Sequence, residues 1–283
     1  MEQITRRNFL MTSLGTVAAL AGTSTSPQLR AATGGRLPIG LQLYAVRDSF
    51  SKDVPGTLKA AKELGYDGVE FWGYGGTENI FGEYSAKQLK AFLDENGLKC
   101  CGIHCEPRAV ADENLARTVA NNKILGNNYL IVAGAADRMK DKTTIAEFAK
   151  YLNSASEKVE SDGMSVGYHA HGFDFVVIDG RFAWDHLFSQ TRPQVVMQMD
   201  VGNCLDGNGD PIAMFEKFPG RSQTVHIKEH QEKTFDSDYY TKVFDLCENR
   251  CATEWYIVEM GEPDGNGFTV AGAAIKKLRT LGK

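Results

Sequence analysis

The chain has 283 residues, of which 42% are hydrophobic and 24% are charged, and its formal net charge at pH 7 is −5. This composition is typical of a globular protein, and the acidic balance, without any basic run, argues against a nucleic-acid partner. No apolar stretch reaches the roughly 20 residues that cross a bilayer, so no membrane partner is predicted for the mature chain.

The first 32 residues differ from the rest of the chain. Their segment "TRRNFLMTSLGTVAALAG" has a pair of arginines, then Asn-Phe-Leu and a modest apolar stretch, and a small, polar segment follows. The apolar stretch is too short for a membrane helix and is typical of an export signal, and the arginine pair resembles a twin-arginine (Tat) signal. We therefore predict an exported, periplasmic protein, with residues 1–32 removed near Ala31–Ala32 and one domain over residues 33–283. The alternative is a disordered or amphipathic N-terminus with a chance arginine pair.

The remaining chain alternates between strand and helix patterns. Candidate strands begin near residues 39, 67, 98, 128, 164, 194, 223 and 255, and a helix candidate follows each of them. Runs such as "YLIVAG" and "WYIVEM" are apolar throughout, which is typical of parallel strands covered on both faces. Gly65, Gly97, Gly126 and Gly163 stand where a helix C-terminus favours a positive φ. Eight such units in about 250 residues predict a single-domain (β/α)8 TIM barrel. A doubly wound open sheet is the alternative, but no G-x-G-x-x-G motif follows the first strand.

The six cysteines do not form a recognisable framework. They lack the paired C-x-x-C spacing of a structural zinc site, and they lie on or near predicted strands and helices. We expect them to be buried and unreactive.

Polar and aromatic side chains gather at the ends of the predicted strands, which form the active-site face of a (β/α)8 barrel. In chain order they are Gln42 and Tyr44 on the first strand, Glu70 and Trp72 on the second, His104 on the third, His169 and His171 on the fifth, Gln198 and Asp200 on the sixth, His226, Lys228 and His230 on the seventh, and Glu259 on the eighth. Alternate residues of a strand share a face, so the three on the seventh strand project together. Packing alone does not explain ionisable groups on four consecutive strand ends, because unpaired buried charge is costly.

Asp200, His226 and Glu259 lie on consecutive strands and predict a site for one divalent cation. Carboxylate and imidazole donors together suit Mn²⁺, Zn²⁺ or Co²⁺, and Mg²⁺ somewhat less. Each residue also has a structural interpretation. Asp200 is a candidate cap for the next helix, His226 a hydrogen-bonded core histidine, and Glu259 an ion-pair partner of Lys228.

Several segments resemble the xylose isomerase-like barrel superfamily, in the branch named sugar phosphate isomerases/epimerases. They are "GLQLYAVRD" (40–48), "GYDGVEF" (65–71), "GIHCE" (102–106), "GYHAHGFDF" (167–175), "MDVGN" (199–203), "VHIKE" (225–229) and "VEMGEP" (258–263). The resemblance covers about residues 37–282 and implies a divalent metal at the ends of strands five to eight, with Asp200, His226 and Glu259 matching three ligands.

The fourth ligand departs from the pattern of the epimerases in this superfamily. Those enzymes have a glutamate on the fifth strand that binds the metal and moves a proton together with the glutamate of the eighth strand. The corresponding residue here is His169, and inosose dehydratase-like members also carry histidines at this place. His169 is thus the predicted fourth ligand, and the departure argues against a symmetric mechanism with two carboxylates.

The predicted activity is that of a metal-dependent sugar isomerase or epimerase. A cation that holds the ketone oxygen of a keto-sugar stabilises the enediolate formed when a proton leaves the adjacent carbon. His171 is the predicted base, since an imidazole titrates near neutral pH, and Lys228 is predicted to polarise the carbonyl or to protonate a leaving oxygen. The resemblance gives Glu259 a share in the proton transfer. The predicted substrate contacts are Gln42, Tyr44, Glu70, Trp72, His104 and His230, with barrel packing as the alternative for the two aromatic residues.

Two other functions stay open. Loss of a group β to the carbonyl would make the protein a lyase or hydratase acting on keto-sugars or 3-keto-glycosides, and a non-catalytic sugar-binding barrel is a candidate of a different class. The predicted export and the lack of a glycine-rich phosphate cradle argue against a sugar phosphate. An endonuclease, also known among these barrels, is disfavoured by the net charge and by the lack of a multi-metal ligand set. The predicted partner is therefore a small sugar, and no oligomeric state is predicted.

Overall fold

Eight parallel strands form a ring in the computed structural model, which describes residues 35–261 and 267–283. The predicted export signal lies outside the described residues. The strands are β1 (Ile39–Gln42), β2 (Gly68–Tyr74), β3 (Lys99–Cys105), β4 (Tyr129–Val132), β5 (Ser165–His169), β6 (Val196–Gln198), β7 (Thr224–Ile227) and β8 (Trp255–Val258).

The order of the strands confirms the predicted (β/α)8 barrel. Each strand from β1 to β5 pairs in parallel with the next, and β1 also pairs with β8, which pairs with β7. The ring closes between β6 and β7, where Asp200 and His226 form a parallel bridge. At this seam the His226 N–H donates to the Met199 carbonyl at 2.8 Å. Two residues of the predicted metal site therefore also close the barrel.

Helices surround the ring and connect its strands. They are α1 (Arg47–Lys52), α2 (Val54–Leu64), α3 (Ala86–Asn96), α4 (Asp112–Leu125), α5 (Lys142–Val159), α6 (Ala183–Phe188), α7 (Val201–Asp206), α8 (Pro211–Lys217), α9 (Asp238–Asn249) and α10 (Gly267–Thr280). Short 3-10 turns follow several strands, at Leu43–Val46, Pro107–Val110, Ala136–Arg138 and Gly172–Phe175, and another, Glu160–Asp162, ends α5. Two small hairpins, Asn79–Phe81 with Tyr84–Ser85 and Val177–Ile178 with Arg181–Phe182, lie between strands and helices. No described helix is both long and apolar enough to cross a membrane.

Local sequence explains where these helices begin and end. Ser85 caps α3 through a reciprocal pair of hydrogen bonds with Gln88, and the Asp53 carboxylate accepts the Gly56 N–H at the start of α2. The four glycines predicted to end helical segments all have positive φ, between 61° at Gly97 and 99° at Gly65. The chain therefore turns into the next strand at the predicted positions.

The core lies mainly between the ring and the helices, and the cysteines belong to it. All six are buried and free, as predicted. Burial raises the pKa of most of these thiols, for example that of Cys100 to about 12, so they stay protonated and unreactive. Inside the ring, Tyr129, Ile131 and Val196 form a separate apolar cluster packed against Trp255. The polar groups occupy the other end of the barrel interior.

Candidate active site

The structure brings the four predicted metal ligands together. His169, Asp200, His226 and Glu259 each offer one donor atom, and these four atoms all lie within 4.8 Å of one another. His226 Nδ1 is 3.1 Å from Glu259 Oε2, and His169 Nε2 is 3.8 Å from the same oxygen. Two imidazoles and two carboxylates at this spacing form a donor set suited to one divalent cation.

Asp200 uses its two oxygens differently. Oδ1 accepts the Asn203 N–H at 2.8 Å and so caps α7, whereas Oδ2 lies 2.9 Å from Lys228 Nζ and 3.8 Å from His226 Nδ1. The interpretation of Asp200 as a helix cap therefore holds for one oxygen. The other oxygen faces the predicted metal site.

Glu70 lies directly behind His226 at the centre of a buried hydrogen-bond network. His226 Nε2 donates to Glu70 Oε2 at 2.6 Å, and Gln42 Nε2 donates to the same oxygen at 2.7 Å. Gln198 Nε2 donates to Glu70 Oε1 at 2.9 Å, and His104 Nε2 lies 3.0 Å from Oε2. A carboxylate bound to the far nitrogen of a histidine fixes the ring orientation and leaves the near nitrogen free for a metal.

Gln42 and Glu70 are predicted substrate contacts, and that role stays a prediction. Both side chains are completely buried, and each hydrogen-bonds to other groups of the described chain. Gly102 makes room for the carboxylate, because a Cβ there would collide with Glu70 Oε1. His104 is also nearly buried, and its Nε2 lies 2.8 Å from Gln198 Oε1.

Gln198 was predicted at a strand end, with no role in the site. Its amide connects three members of the site, because Oε1 contacts both His104 and His169 Nδ1 (2.9 Å) while Nε2 donates to Glu70. In the sequence, Gln198 could have been recognised by its spacing of two residues from Asp200, because alternate residues of an extended segment share a face.

Lys228 borders the predicted metal site and is held there by α7. Its ammonium lies 3.8 Å from Glu259 Oε2 and, in addition to its ion pair with Asp200, donates to Asn203 Oδ1 at 2.9 Å. Gly202 is required for this arrangement, since a Cβ at that position would collide with the stem of Lys228. Asn203 was not predicted, although it belongs to the quoted segment "MDVGN".

The charges of the site depend on these pairings. Burial opposes the ionisation of Glu259, but His226 and Lys228 outweigh it and lower the pKa of this carboxyl to about 2. Burial likewise opposes the charge on Lys228, but Asp200 and Glu259 raise its pKa above the usual value. Burial and repulsion by Glu259 raise the pKa of Asp200, although Lys228 and His226 act in the opposite direction.

The two histidines among the predicted ligands differ in protonation. Burial and the neighbouring imidazoles of His104 and His226 keep the pKa of His169 well below its usual value, so this ring is neutral. For His226, burial lowers the pKa, but the carboxylates of Glu70 and Glu259 overcome this effect and raise the pKa to about 10. His226 must therefore lose its Nδ1 proton before that atom ligates a cation.

His171, the predicted base, lies beside the ligand set. Its ring meets that of His169 edge to face at 4.8 Å and stacks on Phe173 with the ring centroids 5.1 Å apart. Burial lowers the pKa of His171 to about 4, so its imidazole is neutral at pH 7. Its Nδ1 is buried and has no hydrogen-bond partner among the described residues.

The remaining predicted residues lie further from the centre. Tyr44 and Trp72 pack edge to face at 5.8 Å, and Tyr44 is largely exposed. His230 lies beyond the end of β7, where its Nε2 is 2.9 Å from Asp206 Oδ1. Their contacts with a substrate stay predictions.

The chain has relatives of the same fold. The family described as "Xylose isomerase-like TIM barrel" matches residues 58–281. A sugar phosphate isomerase/epimerase from Parabacteroides distasonis is 21% identical over 87% of this chain and 95% of its own, with a TM-score of 0.74. The probable 3-DHS dehydratase AsbF from Bacillus anthracis is 14% identical over 86% and 99% of the two chains (TM-score 0.63). A D-allulose 3-epimerase from Methylomonas sp. is 14% identical over 87% and 98% (TM-score 0.61). These identities show a shared fold, and no curated protein matched the chain.

Proposed function

The chain belongs to the xylose isomerase-like TIM barrel family, and on this basis we propose that it is a divalent-metal-dependent enzyme of the sugar isomerase/epimerase type. It removes a proton from the carbon next to the carbonyl group of a keto-sugar. The observation that carries the proposal is the meeting of His169, Asp200, His226 and Glu259 at one point. Structures with this fold include proteins named as sugar epimerases and as a dehydratase, which supports a sugar or a related polyol as substrate.

The donor set and its surroundings fit one cation. Two imidazoles, with His226 deprotonated at Nδ1, and two carboxylates favour Mn²⁺, Zn²⁺ or Co²⁺ over Mg²⁺, and Glu70 orients His226 from behind. When bound, the cation supplies Lewis acidity to the carbonyl oxygen of the substrate.

The side chains next to the ligands carry the proton transfers in this proposal. His171 is neutral at pH 7 and accepts the proton from the carbon beside the carbonyl. The ammonium of Lys228 donates a hydrogen bond to the substrate oxygen on which negative charge develops. Reprotonation of the same or of the neighbouring carbon then completes an epimerisation or an isomerisation.

A second candidate is elimination, and His169 favours it. With histidine on the fifth strand, Glu259 is, among the described residues, the one carboxylate in the predicted position to exchange a proton with carbon, because Asp200 is held by Lys228 and by the α7 cap. In this candidate His171 takes the proton, the C–C double bond forms, the β C–O bond breaks, and Lys228 protonates the departing oxygen. The substrate is then a keto-sugar with a β leaving group or a 3-keto-glycoside.

The two candidates and the non-catalytic alternative are separated by one set of measurements. Purified protein, loaded with Mn²⁺, Zn²⁺ or Co²⁺, is incubated in deuterated water with a panel of ketoses and 3-keto-glycosides. Deuterium at the carbon next to the carbonyl with retained skeleton indicates epimerisation or isomerisation, and release of an alcohol or of water indicates elimination. Sugar binding without either outcome would contradict the enzyme proposal and favour a binding barrel.

The metal site is tested by Asp200→Ala and Glu259→Ala. Both substitutions should remove bound metal and turnover together, measured by elemental analysis and by the same assay. Glu254→Gln is the matched control, because Glu254 lies at the opposite end of the barrel, where it accepts a hydrogen bond from Tyr129. Unchanged metal content and turnover in the two alanine variants would overturn the proposal.

A further inference from the structure

Large apolar side chains are concentrated on two loops at the active-site face of the barrel. Among the described residues six such side chains are exposed, and four of them follow β1 or β5: Tyr44 (46% exposed), Phe173 (41%), Val176 (49%) and Val177 (61%). Single exposed apolar residues are ordinary on a protein surface. A concentration at the mouth of a site indicates contact with an apolar ligand or partner.

The two loops lie on opposite sides of the mouth. In the order of the ring, β1 and β5 are separated by four steps in either direction, which is the largest separation in an eight-stranded barrel. Tyr44 and Phe173 therefore extend from opposite sides of the ring and belong to opposite walls of the mouth.

The wall at Phe173 is continuous with the site, and the aromatic side chains of both walls are held in place. Phe173 stacks on His171 with an angle of 7° between the rings, so the apolar surface begins at the predicted base. On the other side Tyr44 packs against Trp72, and the guanidinium of Arg47 lies 4.6 Å from the centre of the Tyr44 ring. Aromatic rings held in this way give up little conformational freedom on binding.

We infer that the mouth binds an apolar, preferably aromatic, group attached to the sugar, so that the substrate is a glycoside with an aryl aglycone rather than a free keto-sugar. The inference rests on the proposed function for the position of the sugar, which lies among the polar groups at the ends of the strands. A free sugar would leave both apolar walls in contact with water. An aryl aglycone covers them and gains the free energy of apolar burial.

The inference is tested by binding of inert glycosides that the proposed chemistry does not consume. Phenyl and methyl β-D-glucopyranoside, and the corresponding galactosides, are titrated into the metal-loaded protein and followed by calorimetry and by tryptophan fluorescence. We expect at least one phenyl glycoside to bind about tenfold or more tightly than its methyl counterpart, because a phenyl ring adds roughly 100 Å² of buried apolar surface. Phe173→Ala and Tyr44→Ala should each reduce this preference several-fold. Ile124→Ala is the matched control, since it removes an exposed apolar side chain from α4 and should leave the preference unchanged.

The outcomes separate this inference from the proposed function. Equal affinities, or no detectable binding of the phenyl glycosides, would overturn the aryl-aglycone inference even if keto-sugars are turned over. A phenyl preference that depends on Phe173 and Tyr44 would support it even if no turnover is found. If Phe173→Glu instead converts a dimer into a monomer in light scattering, the apolar walls are a self-association surface and the inference is wrong.

Discussion

Glu70 Oε2 lies 2.6 Å from His226 Nε2, although 156 residues separate these two residues along the chain. The contact joins β2 to β7 across the inside of the barrel and is fully buried on both sides. It gives Glu70 a place behind the predicted metal site, where it determines which nitrogen of His226 faces the other ligands.

Replacing Glu70 with glutamine should weaken metal binding without removing it. The amide keeps the size of the carboxylate but not its charge, so it orients His226 less firmly and makes Nδ1 a poorer ligand. We expect the affinity for Mn²⁺ or Zn²⁺ to fall about 10–100-fold, measured by competition with a chelating dye. Glu254→Gln should bind metal as the wild type does. An unchanged affinity in folded Glu70→Gln protein would show that Glu70 has no part in the metal site.

Metal binding should release a proton from His226. Its pKa of about 10 in the metal-free protein means that the ring is charged at pH 8 and must lose its Nδ1 proton on ligation. Calorimetric titrations in two buffers with different ionisation heats should therefore give close to one proton released per metal at pH 8. A value near zero would contradict the assignment of His226 as a ligand.

The raised pKa of His226 also predicts how the stability of the metal-free protein changes with pH. Its folded-state pKa lies above the ordinary value of 6.5, so its contribution to the free energy of unfolding is fully present below pH 6.5 and is lost as the pH rises through about 10. The melting temperature of the metal-free protein should therefore fall between pH 7 and pH 10. Metal-saturated protein is the control and should fall less, because its His226 is already neutral. Parallel curves with and without metal would count against the prediction.

Replacing Lys228 with methionine should separate catalysis from metal binding. The ammonium contacts Asp200 and Glu259 but is not a ligand, so bound metal should be kept or increased, whereas turnover should fall about 10²–10⁴-fold. Asn203→Ala removes the acceptor that holds the ammonium, together with the hydrogen bond that Nδ2 donates to the Ala170 carbonyl, and should cost less, about tenfold in kcat. Metal content and kcat are measured on the same preparations. Loss of metal from Lys228→Met would show instead that the lysine maintains the ligand geometry.

Asp174, which is not one of the predicted metal ligands, should make the stability of the protein depend on pH in a second way. Burial raises the pKa of this carboxyl to about 7, although hydrogen bonds from the His171 N–H and the Tyr168 hydroxyl oppose the shift. The folded protein thus favours the neutral acid. The contribution of Asp174 to the free energy of unfolding is fully present below about pH 4 and is lost as the pH rises through 7. Relative to Asp174→Asn, the wild type should lose on the order of 1–2 kcal/mol of stability between pH 5 and pH 7. Asp94→Asn, an exposed carboxylate on α3, is the control, and identical pH profiles of the wild type and Asp174→Asn would refute the prediction.

Much of the architecture was predictable because it depends on short stretches of chain. The apolar runs, the glycine at the end of each of four helical segments and the alternation of side chains along a strand are local properties, and they led to the eight strands of the barrel. The same rule placed His169, Asp200, His226 and Glu259 at one end of the barrel. Their meeting within 4.8 Å was predicted because the carboxyl ends of parallel strands all lie on one face.

The roles of residues that depend on burial and on contacts with residues far away in the sequence were not predictable in this way. Gln42 and Glu70 are at strand ends like the predicted ligands, but in the structure they hydrogen-bond to each other behind His226. Gln198 and Asn203 carry no charge and form no motif of their own, so their contacts with His169 and with Lys228 were visible only in three dimensions.

The sequence by itself determined the order of strands and helices and the face on which each reactive side chain emerges, because these follow from hydrogen bonding and steric preferences within a few residues. The tertiary structure decided which of those side chains meet within 4.8 Å of one another, which lie behind His226 and which are exposed at the mouth. These distinctions depend on how β6 closes onto β7 and on how far each side chain lies from water, and both are properties of the completed ring.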